Sequence, residues 1–505
     1  METVASVSPG VLGAFAPAAR RVAFVAALVA AVALPRPWMN QFDFPGIEHV
    51  WTLLPFAALM LIPFAEARRR ARLLQLDLLV LLSFLVALSQ VAPQRPWSLM
   101  LPYAPLLYLA VRMLLHARSG APASLRLHLP RVWLAGGIAV LCLVHASWAL
   151  ETARPTDIGI DSVTGALNII HGRALYASAP GTDTYGPLNF EAYVPFAAAF
   201  SSANGAARAA TFFFTLLTGL LLFLLGRQVR GPDAGVVLAF CWLALPFTLY
   251  EDAMGFNDSL VAAALVATLL VAQRPARRGA AAALASWTKL APLALVPLLA
   301  TRAMGTGRRA AVRDFALFCV AFAGVSALVF IPALAHDTPA TFISRSFGYQ
   351  SSRPSADSLW AALQNSYALH AAWVGTLSRV LHGLAMAVAV GTAIVLPRAR
   401  LRQDVAGLAA GSAAVLMLLA IALNYFAYSY ILWFAPLVLI AAVLAPAHPA
   451  TVQADNASPE ERCRNRPAKT PSSSSSSPSG ARRWESRTRW RWSSPRTSSP
   501  RPPTP

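Results

Sequence analysis

Residues 151–187 read ETARPTDIGIDSVTGALNIIHGRALYASAPGTDTYGP, and this polar stretch decides how the rest of the chain is interpreted. It follows an apolar helix candidate at 131–150 and precedes the longest apolar half of the chain. Because so polar a segment lies between candidate membrane spans, we expect the chemistry of the protein here. The side chains that could take part are Asp157, Asp161, Asp183, His171, Tyr176 and Tyr185.

The composition is that of a membrane protein. Of 505 residues, 56% are hydrophobic and 13% are charged, whereas soluble domains carry roughly 25% charged residues. Apolar runs long enough to cross a bilayer must be helical, because lipid offers no partner for free backbone groups. A transmembrane barrel would show short alternating segments, which are absent. We therefore predict an all-α polytopic protein with about 12 transmembrane helices, plus re-entrant or interfacial segments.

The basic residues predict the orientation. Lys and Arg gather in short loops such as Glu66–Arg72 and Pro397–Arg402, and such loops lie in the cytoplasm. This places both termini in the cytoplasm and the long loops 151–208 and 334–373 on the outer face of the cell (inner) membrane. Most of the net charge of +20 lies in these loops, and a further basic block lies in the C-terminal tail, so we expect membrane lipid as a partner and no nucleic acid.

Two regions depart from a simple series of spans. Gly279–Leu299 has basic residues on both sides and contains Lys289 and two prolines, which favours a broken or re-entrant hairpin over a straight span. Residues 447–505 are rich in Ser, Pro and Arg, and we predict a disordered tail after a membrane domain at 1–446.

Asp157 and Asp161 are the candidate general bases. They come just after a span candidate and are four residues apart, so in a helix both carboxylates lie on one face. A carboxylate at the boundary of a low-dielectric region can take a proton from an attacking hydroxyl. Alternatively, Asp157 caps an interfacial helix that ends before Gly172. Position alone does not distinguish these two interpretations.

Asn257, Asp258 and Lys289 are candidates on the membrane side. Asn257 and Asp258 lie in GFNDSL at the outer mouth of an apolar run; they either cap a helix or bind a sugar or cation. Lys289 lies in SWTKLAPLALVPLL. A lysine in such a segment predicts a functional site, although it could also snorkel to the headgroups; in a re-entrant hairpin a lipid phosphate would satisfy it better.

Arg345 and Arg353 are candidates in the second outer loop, FISRSFGYQSSRPSADSLW. Arginine forks bind phosphate oxygens well, and arginine on the outer side runs against the usual bias. A solvated loop is the alternative. The nearby tyrosines Tyr425, Tyr428 and Tyr430 are interpreted as part of the aromatic belt at the membrane interface.

Familiar cofactor motifs are missing from the sequence. It contains no glycine-rich nucleotide-binding motif, no HExxH and no CxxC. A soluble nucleotide-binding site is therefore unsupported and we expect no cofactor, which suits an outward-facing site without access to nucleotides.

The order of these pieces resembles the GT-C superfamily of integral membrane glycosyltransferases, and within it the bacterial polyprenyl-phosphate-mannose-dependent alpha-mannosyltransferases. Their first outer loop reads approximately D-L-x-V-Y-x-x-x-G-A, then G-x-x-L-Y and Y-P-P. The matching segments here are Asp157 to Asp161, Gly165-Ala166, Gly172 to Tyr176 and Tyr185-Gly186-Pro187. Asp161 stands where that family usually has tyrosine, and Gly186 where it usually has proline.

Later motifs follow in the same order. GFNDSL is similar to the family's motif at a span mouth, SWTKLAPLALVPLL to its lysine hairpin, and Arg345 to Trp360 to its outer loop. The resemblance covers roughly Trp148 to Pro446, on the side of the membrane that the charges predict.

The resemblance implies a reaction and its substrates. The donor is a hexose, mannose by resemblance, on a polyprenyl phosphate, and the acceptor is an envelope glycolipid or glycan. Asp157, or Asp161 in its place, acts as the base, and Lys289, Arg345 and Arg353 hold the leaving phosphate. This scheme requires no metal, although the acidic cluster leaves one open. The other expected substrate-binding residues are Asn257, Asp258, Tyr185 and His171.

A transporter or lipid flippase of envelope precursors is the alternative class, because broken helices and buried charges also occur in transporters. Against it, the two halves show no internal repeat, and the polar residues gather on one face of the membrane instead of at its midplane.

Overall fold

The protein is all-helical. The computed structural model describes residues 9–33, 52–64, 71–89, 99–119, 129–150, 155–177, 184–301, 307–353, 358–364, 372–399, 401–402 and 404–444. Within these ranges every regular element is a helix, and all belong to one compact unit within Met1–His448. Asp183 and the predicted tail lie outside the described residues.

The helices are numbered in chain order. Those up to the first outer loop are α1 (Pro9–Ala33), α2 (Leu54–Leu61), α3 (Ala71–Ser89), α4 (Tyr103–Ser119), α5 (Arg131–Ala149), α6 (Asp157–Ile170) and α7 (Pro187–Ala199). The middle of the chain forms α8 (Ala203–Arg230), α9 (Pro232–Leu243), α10 (Pro246–Met254), α11 (Asp258–Leu270), α12 (Pro275–Thr288), α13 (Val296–Thr301) and α14 (Arg308–Val329). The rest are α15 (Ile331–Leu334), α16 (Pro339–Ile343), α17 (Tyr349–Ser352), α18 (Leu359–Gln364), α19 (Ala372–Val395), α20 (Val405–Ala422) and α21 (Ile431–Val443).

Several of these helices are long and apolar enough to cross a membrane, which indicates a membrane protein. Among the described residues there are five, α5, α8, α14, α19 and α20, and a sixth if the bent pair α9–α10 is one span. The predicted count of about 12 is not confirmed. Other apolar segments form shorter helices, such as α11 and α21, because a hydropathy window averages across breaks in the backbone.

The bend between α9 and α10 follows from Pro246. The two helices meet at 53°. A proline has no N–H to donate and disfavours a helical residue before it, and Leu245 is accordingly extended, with ψ 120°. His145 of α5 bridges the bend. Its Nε2 lies 2.9 Å from the carbonyl oxygen of Leu243 in α9, and its Nδ1 lies 2.6 Å from Oδ2 of Asp252 in α10.

The predicted broken hairpin is broken at Lys289. Helix α12 ends at Thr288, and Lys289 is extended, with φ −138° and ψ 155°. A 3-10 segment at Ala291–Leu295 then leads into α13. Helix α14 afterwards packs parallel to α12, with Phe318 near Arg278 and with Ser326 accepting a hydrogen bond from Trp287. The chain therefore returns between α12 and α14, as a hairpin requires.

The core lies around α20 and α21. Every residue of α21 is buried, as expected for a helix that is apolar on all sides. It packs on α9, α11 and α20, and α20 packs in turn on α4. By contrast, only 17% of the most apolar window of α14, and the same share of α19, is buried. These two helices therefore form an apolar outer surface.

Candidate active site

One cavity of about 330 Å³ collects most of the predicted site. Asp157 and Asp161 of α6 line it, as do Tyr185 and Lys289. The second outer loop contributes Arg353. Residues from three separate parts of the sequence thus meet at the end of the bundle where α11 begins and α12 ends, which we call the site end.

The two aspartates lie on one face of α6, because both line the same cavity one turn apart. Asp157 is exposed in the first turn, where the helix dipole favours a carboxylate, and its Oδ1 accepts a hydrogen bond from the amide of Ile158 at 2.9 Å. Asp161 is half-buried. The structure therefore keeps both aspartates as candidates for the base.

Close backbone packing holds the start of α6 in place. The amide of Thr156 donates to the carbonyl of Met254 at the end of α10. A Cβ at Gly159 would come within 2.2 Å of the carbonyl oxygen of Gly255, so only glycine permits this approach. Helix α6 is thereby fixed against the turn that precedes Asp258.

Lys289 has a protein partner. Its Nζ lies 2.5 Å from Oδ1 of Asp258, the first residue of α11, and the same oxygen accepts a hydrogen bond from Nε1 of Trp433 at 2.5 Å. Asp258 is fully buried and Lys289 is 7% exposed. Lys289 thus still lines the cavity, but its charge is compensated from behind by Asp258.

Aromatic rings surround the Lys289 ammonium on the remaining sides. The centroids of Tyr185, Tyr430 and Trp433 lie 5.3 to 5.7 Å from Nζ, within cation–π range. Burial first, and then nearby Tyr430 and Asp258, raise the pKa of the Tyr185 phenol well above its usual value. Tyr185 therefore stays protonated and can act as a hydrogen-bond donor, not as a base.

Arg353 is the second cation of the cavity. Its guanidinium lies 3.8 Å from the ring centroid of Tyr425 and 5.7 Å from that of Tyr349. It makes no ion pair with any carboxylate in the described part of the chain. A stacked, preorganised guanidinium that faces a cavity suits an anionic ligand.

Asn257 and Asp258 lie behind the cavity wall instead of lining it. Asn257 donates from Nδ2 to Oδ1 of Asn189 at 2.8 Å and to Oγ of Ser162 at 3.3 Å. It thus joins α6, α7 and the start of α11, while Asp258 orients Lys289. Both residues support the cavity from within the protein.

His171 and Arg345 do not line the cavity either. His171 follows the last residue of α6 and is exposed, with Nδ1 2.8 Å from the carbonyl oxygen of Leu167. Arg345 lies half-buried in a π-helical turn, Ser344–Gly348. A substrate would have to extend beyond this cavity to reach them.

Asp337 ties the two outer loops together, and the sequence analysis did not single it out. Its Oδ2 accepts hydrogen bonds from the amides of Leu175 and Tyr176, at 2.6 and 2.9 Å. The Tyr176 hydroxyl then donates to the carbonyl of Tyr185 at 2.9 Å. No motif marks this aspartate, because its partners lie more than 160 residues away along the chain.

Gly186 allows the loop after Tyr185 to meet α12. Its amide donates to the carbonyl of Thr288 at 3.3 Å, and a Cβ here would lie 2.0 Å from the carbonyl oxygen of Trp287. A proline, which the resembled family usually has, would not fit this backbone. The departure at Gly186 therefore brings Tyr185 close to Lys289.

Three aromatic residues of the site were missed. Tyr425, Tyr430 and Trp433 line the cavity, whereas the sequence analysis gave the two tyrosines to the membrane interface. A signal was present, because a tyrosine cluster beside Asn424 at a span junction fits either role. Among the described residues, no group of three His, Cys, Asp or Glu side chains could hold a metal ion. A metal-independent reaction stays a prediction.

A family comparison agrees with this geometry. The model of glycosyltransferase family 87, a GT-C-like family of membrane enzymes, matches residues 184–423. The match indicates a glycosyltransferase. The matched segment includes Tyr185, Lys289 and Arg353, while Asp157 and Asp161 precede it. A search of curated proteins found no match.

Proposed function

We propose that this protein transfers a hexose, mannose by resemblance, from a polyprenyl-phosphate donor to an envelope glycolipid or glycan on the outer face of the cell membrane. The observation that carries the proposal is the joint placement of two carboxylates and two cations in one cavity at one end of a helical bundle. A group transfer from a lipid phosphate needs both: a base for the acceptor and positive charge for the leaving group.

In the proposed step, the acceptor hydroxyl attacks C1 of the sugar. The new bond joins the acceptor oxygen to C1, and the bond between C1 and the phosphate oxygen breaks with its electron pair going to the phosphate. Asp157 or Asp161 takes the hydroxyl proton. A single displacement of this kind inverts the anomeric carbon.

Arg353 and Lys289 contribute differently to binding the phosphate. Lys289 is already paired with Asp258, so it offers a fixed N–H donor with a compensated charge. Arg353, which lacks a carboxylate partner in the described residues, supplies the larger part of the attraction. Charge of this kind at the site of developing negative charge is the main help that a protein gives to such a transfer.

The test is sugar transfer in membranes that contain the protein, with labelled polyprenyl-phosphate mannose as donor. Wild type is compared with Asp157→Asn, Asp161→Asn and the control Asp233→Asn. Asp233 is an exposed residue in the first turn of α9 and does not line the cavity. We expect the variant that lacks the base to lose transfer by at least about 100-fold and the control to keep it.

The outcomes separate the alternatives. Loss with one aspartate alone identifies the base. Transfer that survives both changes would overturn the proposed mechanism. The wild type could instead move labelled lipid across the membrane and form no product with any lipid-linked hexose that is tried. In that case the protein is a flippase and not an enzyme.

A further inference from the structure

A second cavity, of about 630 Å³, lies at the other end of the bundle. It is formed by the last turns of α8 and α11 and the first turn of α12. Helix α11 has 13 residues, so its two ends are about 20 Å apart. Since Asp258 and Lys289 lie at the site end, this far-end cavity is separate from the candidate active site.

Three arginines line the far-end cavity: Arg227, Arg274 and Arg277. All three are exposed, and none forms an ion pair or a hydrogen bond with another side chain in the described part of the protein. Elsewhere the chain does supply partners, since Arg112 pairs with Asp77 at 2.9 Å. The far-end cavity therefore concentrates uncompensated positive charge.

Leu224, Leu270 and Val271 form an apolar part of the wall between the arginines, and Gln228 and Gln273 line the rest. The N-terminus of α12 opens here, but the C-termini of α8 and α11 offset its dipole. Attraction for an anion must therefore come from the guanidinium groups. Arginines beside a partly apolar wall fit a molecule that has both an anionic head and hydrocarbon.

We propose that the far-end cavity binds the phosphate headgroup of an anionic phospholipid. The arginine forks would contact the phosphate oxygens, and the acyl chains would lie against the leucines. Basic pockets between membrane helices are suited to such headgroups, and the volume lies within the range of about 300 to 1,000 Å³ that ligand sites occupy. The proposal does not depend on the proposed enzymatic function.

The experiment measures lipid retention by the full chain in detergent, with native mass spectrometry as the readout. The probes are phosphatidylglycerol, phosphatidylcholine with the same acyl chains, and inorganic phosphate. The test variant is Arg227→Gln/Arg274→Gln/Arg277→Gln. The matched control is Arg308→Gln/Arg309→Gln, two exposed arginines that begin α14 outside the far-end cavity.

We expect phosphatidylglycerol to be retained in preference to phosphatidylcholine, and the triple variant to weaken its retention by about 100-fold, which corresponds to about fivefold for each arginine removed. The control should retain phosphatidylglycerol as wild type does. Equal loss in both variants would mean that only the general basic charge of this end matters, which overturns the proposal. Competition by inorganic phosphate alone at equal concentration would also overturn it, because the ligand would then be free phosphate.

A second variant guards against misfolding. Arg227→Lys/Arg274→Lys/Arg277→Lys keeps the charge but loses the fork. It should fold as wild type does and retain the lipid more weakly than wild type. Unchanged lipid retention in this variant would show that the guanidinium forks do not bind the phosphate, which would overturn the proposal.

Discussion

At the scale of single residues, Glu191 carries a partly buried carboxyl group that has no obvious role in transfer. It lies in α7, it is half-buried, and its Oε1 finds no hydrogen-bond partner among the described residues. Burial raises the pKa of this carboxyl group from 4.5 to about 7. The folded protein therefore holds a proton that the unfolded chain releases at a lower pH.

The sign of the pH dependence follows. Above pH 4.5 the unfolded chain ionises Glu191, whereas the folded protein ionises it only near pH 7, so this residue costs stability as the pH rises through that interval. We expect Glu191→Gln to raise the Tm by about 2 °C at pH 8 and to leave it nearly unchanged at pH 4.5. Thermal unfolding in detergent measures this, with Asp233→Asn as the exposed control. An equal shift at both pH values would contradict the prediction.

Lys289 shows what the residue types in a sequence can predict about a site and what they cannot. Its apolar surroundings predicted a functional lysine, and the structure places it in the cavity wall. Its partner could not be predicted, because Asp258 lies 31 residues earlier and meets it only when α11 and α12 pack antiparallel. The same holds for Asp337 and the amides that it binds. Contacts of this kind join residues that are distant in sequence, so they depend on how the helices pack, which no short sequence pattern reveals.

At the scale of elements, His145 bridges the bend between α9 and α10 that follows from Pro246. Both of its ring nitrogens face acceptors, the Leu243 carbonyl and the Asp252 carboxylate, so Nε2 carries a hydrogen and a second one lies between Nδ1 and Oδ2. The other oxygen of Asp252 accepts from the hydroxyl of Thr215 at 2.8 Å. All of these groups are fully buried, and they join α5, α8, α9 and α10.

We expect His145→Leu to destabilise the protein by about 3–5 kcal/mol, because it leaves a buried carboxylate without its partner. His145→Leu/Asp252→Leu should recover part of this loss, since it removes both members of the pair. The control is His382→Leu, which removes one hydrogen bond, from Nε2 to the Ala422 carbonyl, and a stacked contact with the Trp360 ring, and should cost about 1–2 kcal/mol. Unfolding in denaturant ranks the three; a His145→Leu loss no larger than that of His382→Leu would refute the role of the bridge.

The two breaks in the helices were not equally predictable. Basic residues on both sides of Gly279–Leu299 predicted the break that the structure has at Lys289. The break at Pro246 was not predicted. The hydrophobic run continues through Pro246, and a proline inside a span can produce either a kink or a full break, depending on the neighbours that satisfy the freed carbonyl groups. Here His145 satisfies one of them.

At the scale of the whole molecule, the site end and the far end should lie on opposite sides of the membrane. His171, at the end of α6, and Arg309, at the start of α14, are both exposed. With the four native cysteines replaced, we expect His171→Cys to react with a membrane-impermeant maleimide in intact cells. Arg309→Cys should react only after the cells are permeabilised. The reverse pattern would invert the predicted orientation.

The fold class could be predicted from the sequence, but the number of membrane spans could not. Composition and periodicity predicted an all-helical membrane protein, and the structure confirms the helical class. The number of spans was not predictable, because segments such as α21 are apolar enough to look like spans yet form 13-residue helices inside the core. Lipid-facing and protein-facing surfaces can be equally apolar, so hydropathy does not separate them.

The pairing of Lys289 with Asp258 has a consequence for turnover under the proposed reaction. That ion pair contributes no net charge to the cavity wall, so Arg353 is the cation of the cavity that has no carboxylate partner among the described residues. A phosphodiester donor enters with a single negative charge. The phosphomonoester left behind carries a second one once its bond to C1 breaks, while the base becomes neutral by taking the hydroxyl proton. When that aspartate passes its proton to solvent, a negative charge returns beside the phosphomonoester, and the repulsion between the two favours release of the spent lipid carrier.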